Sequence, residues 1–447
     1  MSEGHAEAER TEDELKKHFQ SQLSSHIDKI QNIEISLARR KNWSFRAATA
    51  KVAYVDAFNQ TRKLTYTGKL FMTEAHFKAD VKSLQTLKLA APDLGPSSIT
   101  ITDMMAIFLA FPNDMDLPGT VSLATPEALI EDVKTNPGMV GITEKNISVT
   151  SLKANRLKYL GRRYCSYGYD MTYQTDGGAT ENRHRFCGRA YRGKKGVKAY
   201  KILNRISEND ACRKHDFLIP QFYSYDGSKQ ILWQQMLITA PLSKQISTIK
   251  NLPQVAFAVG KGLAAFHRLG LPLKEKMTFP YVMNNLQRRA SIINRAFPEM
   301  QSGFKLLLDQ LIDEAHTFRD RGQTTIHGNF KLSHIFDTEE GPLFNGLSSA
   351  NLGDPGYDVG QFISHLLKMY SVQKLSEQRV RKAKDAFCEG YNTHATTPLS
   401  QRVMDWFSLY HLISSQASKA IKRRDEKKAK RILSLIQEFY GRSDISA

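Results

Sequence analysis

Apolar positions change period twice along the first 150 residues. Leu15, Phe19, Leu23 and Ile27 recur every four residues behind a Glu-rich start, a weak helical pattern in a segment (1–30) whose polarity suits a partly disordered tail. From about Ile33 the period falls to two. Phe45 to Val55 and Leu64 to Phe71 alternate around a polar turn and predict a short antiparallel sheet. A helical pattern spans Glu74 to Leu89, and an apolar stretch follows from Ile99 to Phe111. Phe111-Pro112-Asn113-Asp114-Met115-Asp116-Leu117-Pro118-Gly119 then reads as an ordered loop whose Asp114 and Asp116 shape turns rather than hold metal.

Tyr159, Tyr164, Tyr167, Tyr169 and Tyr173 punctuate a strand-prone stretch, Gly177-Gly178 suits a turn, and His184 to Tyr191 returns as a second strand. Phe217 to Tyr223 and Gln230 to Leu237 read as a strand pair. Helical periods follow, with Val255, Val259, Leu263 and Phe266 on Gln254 to Leu269, then Leu286 to Ala296, Gly303 to Phe318, Val380 to Asn392 and Arg402 to Tyr440. The chain divides into a polar N-terminal tail or helix (1–30), an N-terminal α+β extension (31–150), a small β-rich lobe (151–240) and a mostly helical large lobe (241–447).

A polar interruption of the helical half carries the candidate chemistry. Thr324-Thr325-Ile326 leads into His327-Gly328-Asn329-Phe330-Lys331-Leu332-Ser333-His334, and Ile335 and Phe336 lead out. Gly353-Asp354-Pro355-Gly356-Tyr357-Asp358 then opens a helix with Val359, Phe362, Ile363 and Leu366 on one face, Asp354 suiting the cap and Pro355 the first turn. His267, on the Gln254 helix, is expected to be a packed core histidine.

At these residues the sequence resembles the aminoglycoside phosphotransferase and choline-kinase-like family, whose loop reads His-Gly-Asp-x-x-x-x-Asn, followed by a magnesium-holding Asp and Gly-Asp-Pro-x-x-Asp. The resemblance covers residues 151 to 440 and implies an α+β, bilobal protein-kinase-like (aminoglycoside phosphotransferase-like) fold with a β-rich N-terminal extension. His327, Gly328, Gly353, Asp354, Pro355 and Asp358 match the pattern, and the chemical positions depart from it. The catalytic loop has His327 and, at the general-base position, Asn329; the metal positions hold His334 and, by ungapped counting, Gly346. Arg189 stands where the family has its phosphate-pairing lysine, and Gln235, Met236 and Leu237 fall near the hinge that meets the adenine. Phe111 to Gly119 resembles an element ahead of the core in some bacterial members.

Phosphoryl transfer needs an acceptor for the substrate proton and a cation across the phosphates. An Asn amide is no useful base, and general-base assistance is worth roughly 10²–10⁴ in rate. Magnesium prefers oxygen, so an imidazole serves it poorly and a glycine offers no side chain. Arginine for lysine keeps the charge but not the geometry. The expectation is a catalytically impaired pseudokinase, a scaffold binding a small-molecule ligand or a protein partner, with ATP or another nucleotide retained without Mg2+. The alternative is an active ATP-dependent phosphotransferase on a small hydroxylated substrate, its metal held by displaced acids such as Asp337, Asp354 or Asp358.

The net charge of +18 adds a third reading, a binder of nucleic acid or another anionic polymer, because it favours anionic partners. Basic residues are densest from Lys153 to Lys214 and from Lys419 to Arg431, with no recognisable nucleic-acid module, no G-x-x-x-x-G-K-[ST] and no G-x-G-x-x-G. The polar start, the short apolar runs and four cysteines without C-x-x-C spacing point to a cytoplasmic protein without membrane spans.

Overall fold

The structure, a computed structural model, describes residues 3–37, 44–175, 180–209, 216–298, 301–315, 317, 321–417, 419, 421 and 425–440. The Gly177-Gly178 turn and Cys212 lie outside the described residues. The architecture is α+β, in two compact units: Met1–Tyr200 with Phe222–Met236, and Lys201–Gln221 with Leu237–Ala447.

The first unit holds two five-stranded antiparallel sheets. Strands β1 (Ile30–Leu37), β2 (Phe45–Val55), β3 (Thr61–Phe71), β4 (Ser98–Ile101) and β5 (Ala106–Ala110) lie in the order β1-β2-β3-β5-β4. Alternation aims Ala48, Ala50, Val52, Tyr66 and Phe108 at one face, where helix α1 (Glu3–Leu23) packs. Leu15, Phe19, Leu23 and Ile27 are buried there, Phe19 edge-on to Tyr66 and Phe108 at 5.4 and 4.8 Å. Burying such a ring stabilises by roughly 1.5–3 kcal/mol. The helical reading therefore holds and the loose-tail reading does not for this stretch. Helix α2 (Glu74–Gln85), capped by Thr73, lays Phe77 against Phe71 and Ile107 on the other face. The apolar stretch from Ile99 resolves into the hairpin β4–β5.

Strands β6 (Ile147–Leu160), β7 (Tyr164–Thr175), β8 (Asn182–Tyr191), β9 (Phe222–Asp226) and β10 (Ile231–Gln235) form the second sheet, in the order β6-β7-β8-β10-β9. Tyr167, Tyr169, Met171 and Tyr173 face its core with Phe186 and Trp233. Two short helices, α3 (Gly119–Ala124) and α4 (Pro126–Thr135), cover that face with Leu123, Leu129 and Val133, and the Tyr169 hydroxyl donates to the Leu123 carbonyl at 2.6 Å. The strand before β10 starts at Phe222 rather than Phe217. Phe217 belongs to the second unit, stacked on Phe344 at 5.6 Å and edge-on to Phe266.

After α5 (Lys195–Ser207), the second unit is built on α6 (Leu252–His267), α7 (Phe279–Ala296), α8 (Gln301–Ala315), α9 (Gly356–Ser371), α10 (Glu377–His394), α11 (Gln401–His411) and α12 (Glu426–Tyr440). The Arg402 to Tyr440 span is not one helix, for α11 passes into a π-helical stretch, Leu412–Ala417, before α12 begins. A small sheet sets the loop: β11 (Lys276–Met277), β12 (Thr324–Ile326) and β15 (Asn351–Gly353), with β12 antiparallel to β15 and Ile326 opposite Asn351. Beside it is the hairpin β13 (Ile335–Thr338) and β14 (Gly341–Phe344). Val359, Phe362, Ile363 and Leu366 of α9 are buried, as their spacing predicts.

Candidate functional site

The His327 loop leaves β12 and is held from below by α9. Asp358, fully buried, turns its carboxylate back onto the loop. Its Oδ2 accepts from the His327 backbone N–H at 2.6 Å and its Oδ1 from that of Gly328 at 2.9 Å. His267 Nε2 donates to the same Oδ2 at 3.2 Å, while its Nδ1 meets the Tyr391 hydroxyl at 2.9 Å. His267 is thus a core residue with a duty, bracing the carboxylate that braces the loop. The N-cap is Pro355 rather than Asp354, which lies one residue before it; Asp354 Oδ1 still accepts from the Gly356 N–H at 2.7 Å, and its other oxygen takes Arg321 Nε at 3.0 Å.

His327 is itself fully buried, and its partners set its tautomer. Nε2 donates to the Asn345 carbonyl at 3.1 Å, so Nδ1 is the acceptor for Asn329 N–H at 3.3 Å. Burial holds its pKa below the usual imidazole range, partly offset by Asp358. Both ring nitrogens are occupied by the backbone, which leaves none for a substrate proton.

The two positions assigned to metal meet in space. Gly346 has φ +87°, and a Cβ built on it would lie 2.9 Å from Nδ1 and 3.0 Å from Cε1 of His334. The His334 ring lies over Gly346, and its Nδ1 donates to the Asn329 carbonyl at 3.0 Å. Asn329, His334 and Gly346, up to seventeen positions apart in the chain, therefore form one patch. Asn345 is no substitute ligand. Its carbonyl takes His327 Nε2 and its side-chain oxygen takes Gly346 N–H at 2.6 Å. The donor set does not fit magnesium, which wants several oxygens in near-octahedral array.

The displaced acids are dispersed. Asp354 and Asp358 are engaged as described, and Asp337 lies on β13 opposite Pro342, its pKa raised by burial. Among the described residues, no group of three or more His, Cys, Asp or Glu is placed to hold a metal ion. Asp354, Arg321, Tyr357 and Phe407 line a cavity of about 230 Å³ within the second unit.

Arg189, Gln235 and Met236 lie in the first unit, Leu237 in the second. Arg189 is not an exposed strand arginine. It is half-buried on β8, its guanidinium 5.6 Å from the Tyr164 ring centre and 5.9 Å from that of Tyr191. Its Nε is buried without a hydrogen-bond partner among the described residues. Gln235 ends β10, and Met236 packs against Gly168 of β7. Several cations of the basic stretch are neutralised locally. Arg183 and Arg185 hold Asp170, whose carboxyl falls to about 2 through the Arg183 hydrogen bond and the neighbouring charges. Among the described residues, no helix is long and apolar enough to cross a membrane.

No protein-family model matches the chain, and no curated relative matches it in sequence. Among solved structures it is similar to a choline kinase from Cryptosporidium parvum Iowa II, at 13% identity and TM-score 0.45 over 70% of this chain and 95% of that one. It is similar to a glucosamine kinase bound to glucosamine, ADP and inorganic phosphate, at 11% and 0.43 over 92% and 94%. It is similar also to an aminoglycoside phosphotransferase from Streptomyces rimosus, at 12% and 0.38 over 63% and 96%.

Proposed function

We propose that this chain is a kinase-like scaffold whose loop no longer supports metal-dependent phosphoryl transfer, and that it works by binding a ligand or a regulatory partner. The observation that carries the reading is the His334 ring lying over Gly346 and donating to the Asn329 carbonyl. An imidazole fills the space where carboxylate oxygens would have to converge, and the base position offers an amide.

The loop framework is intact beneath that loss. Asp358, His267 and the His327 backbone still fix the loop, so a shaped surface persists without the charges that chemistry requires. Arg189, between two tyrosine rings and hydrogen-bonded to Tyr191, is the cation proposed to meet an anionic group of a nucleotide or of a former substrate. The ligand class is therefore phosphate-bearing and bound without a divalent ion.

Thermal unfolding of the full chain with ATP or GTP, each with and without magnesium, tests this. At 100 Kd a ligand stabilises by about 2.7 kcal/mol. The scaffold reading expects a shift that magnesium does not enlarge, and no ATP turnover above background. A shift that appears only with magnesium, accompanied by ATP consumption, would establish a working phosphotransferase instead.

A further inference from the structure

The Phe111–Gly119 segment takes no part in the His327 loop, yet both of its carboxylates converge on one hairpin. Asp114 Oδ2 accepts from the Arg162 backbone N–H and from the Tyr159 hydroxyl, both at 2.8 Å, and its Oδ1 accepts from Asp116 N–H at 2.9 Å. Asp116 takes Arg162 Nε at 2.5 Å and faces Arg192 at 3.5 Å. Arg162 Nη1 reaches the Gly68 carbonyl of β3 at 3.5 Å, and its guanidinium lies 4.9 Å from the Phe45 ring centre. The Phe111 and Tyr159 rings are 4.7 Å apart, and a Cβ on Gly161 would sit 2.3 Å from Thr67.

Tyr159, Gly161 and Arg162 form the tip of the β6–β7 hairpin. An arginine at an exposed hairpin tip of a basic sheet would be available to a phosphate. Here it is 8% exposed and committed to the carboxylate of Asp116 and the β3 backbone. In kinase-type sites the hairpin between the first two strands of the small lobe covers the nucleotide phosphates.

We infer that the sheet holding β2 and β3, together with the Phe111–Gly119 segment, acts as an intramolecular strut, the segment locking the β6–β7 hairpin through Asp114, Asp116 and Arg162, which are positioning residues. The lock replaces the mobility such a hairpin needs to close over a ligand, so the N-terminal extension sets how the small-lobe sheet receives one. The effect on ligand binding rests on the function proposed above; the locking of the hairpin does not.

Hydrogen–deuterium exchange on the full chain reads the lock directly. In Asp116→Asn and in Arg162→Lys, amides 159–164 should exchange at least about ten-fold faster while β1 to β5 keep their protection. Unchanged exchange at 159–164 in either folded variant overturns the inference. So does equal acceleration across β1 to β5, which would make these contacts ordinary packing. ATP-induced thermal shifts on the same proteins separate the two ideas: a shift altered at least two-fold by unlocking supports the strut's role in binding, whereas an unaltered shift beside a freed hairpin removes that role. Silence in the unmodified chain as well sinks the nucleotide reading and leaves the exchange result to decide the lock.

Discussion

Replacing Gly346 by aspartate adds the carboxylate that the proposed scaffold reading says this position lacks, and the geometry around it sets the cost. At φ +87° a residue with a side chain occupies the left-handed region at about 1–2 kcal/mol. Its Cβ also meets the His334 ring at 2.9–3.2 Å, an overpacking worth roughly 1–3 kcal/mol. Gly346→Asp alone should therefore lose about 2–5 kcal/mol. His334→Asn alone gives up the hydrogen bond to the Asn329 carbonyl, about 1 kcal/mol. In the double variant the ring is gone, so only the backbone penalty and that hydrogen bond remain, and the pair should couple favourably by about 1–3 kcal/mol. Urea unfolding of the four proteins measures the cycle. Additivity within about 0.5 kcal/mol would refute the claim that the ring fills the site. Adding Asn329→Asp to the double variant should create a magnesium-dependent ATP stabilisation absent from the parent.

Asp358→Ala orphans the His327 and Gly328 N–H groups and His267 Nε2 in the core, and should cost roughly 3–5 kcal/mol by urea unfolding. A loss under about 1 kcal/mol would show that the loop is held by something else. Acid should also unfold the second unit early. His411 is fully buried, its Nε2 donates to the Tyr357 carbonyl and its Nδ1 has no partner among the described residues, so burial pushes its pKa down to about 3. The unfolded chain takes up a proton below about 6.5 that the folded one refuses, so this stability is complete above that pH and lost as pH falls toward 3. One unit below 6.5 the loss is about 1.4 kcal/mol per such group, with His327 shifted in the same direction. A urea midpoint unchanged between pH 7 and 5.5 would contradict it.

Local periodicity made the strands and most helices legible, because burial on one face writes itself into every second or every fourth residue. It did not show whether a stripe finds a partner. The Leu15-Phe19-Leu23-Ile27 stripe reads as a weak helix in a partly disordered segment, and it is core because β1 to β5 offer it a complete apolar face. Phe217 looked like the start of a strand because apolar, Pro-flanked segments share that composition. Its ring is instead a piece of the Phe266–Phe344 cluster. Helix α3 was hidden by Pro118, read as loop punctuation although proline also opens helices. Asp114 and Asp116 showed only their local turn geometry, for their partner Arg162 lies some fifty residues on.

The loop separates two kinds of residue that the sequence presents side by side. The His327 and Gly328 N–H groups and His267 Nε2 all converge on the buried Asp358 carboxylate, so losing that carboxylate leaves three donors unanswered and the fold itself suffers. Asn329, His334 and Gly346 are only partly buried and interact through one ring and one carbonyl. Changes among these last three are cheap to the fold provided that they are made together, since Gly346 makes room for the ring of His334. The same separation explains why restoring one acid at a time should fail, and why the coupled replacement at 334 and 346 is the change that discriminates.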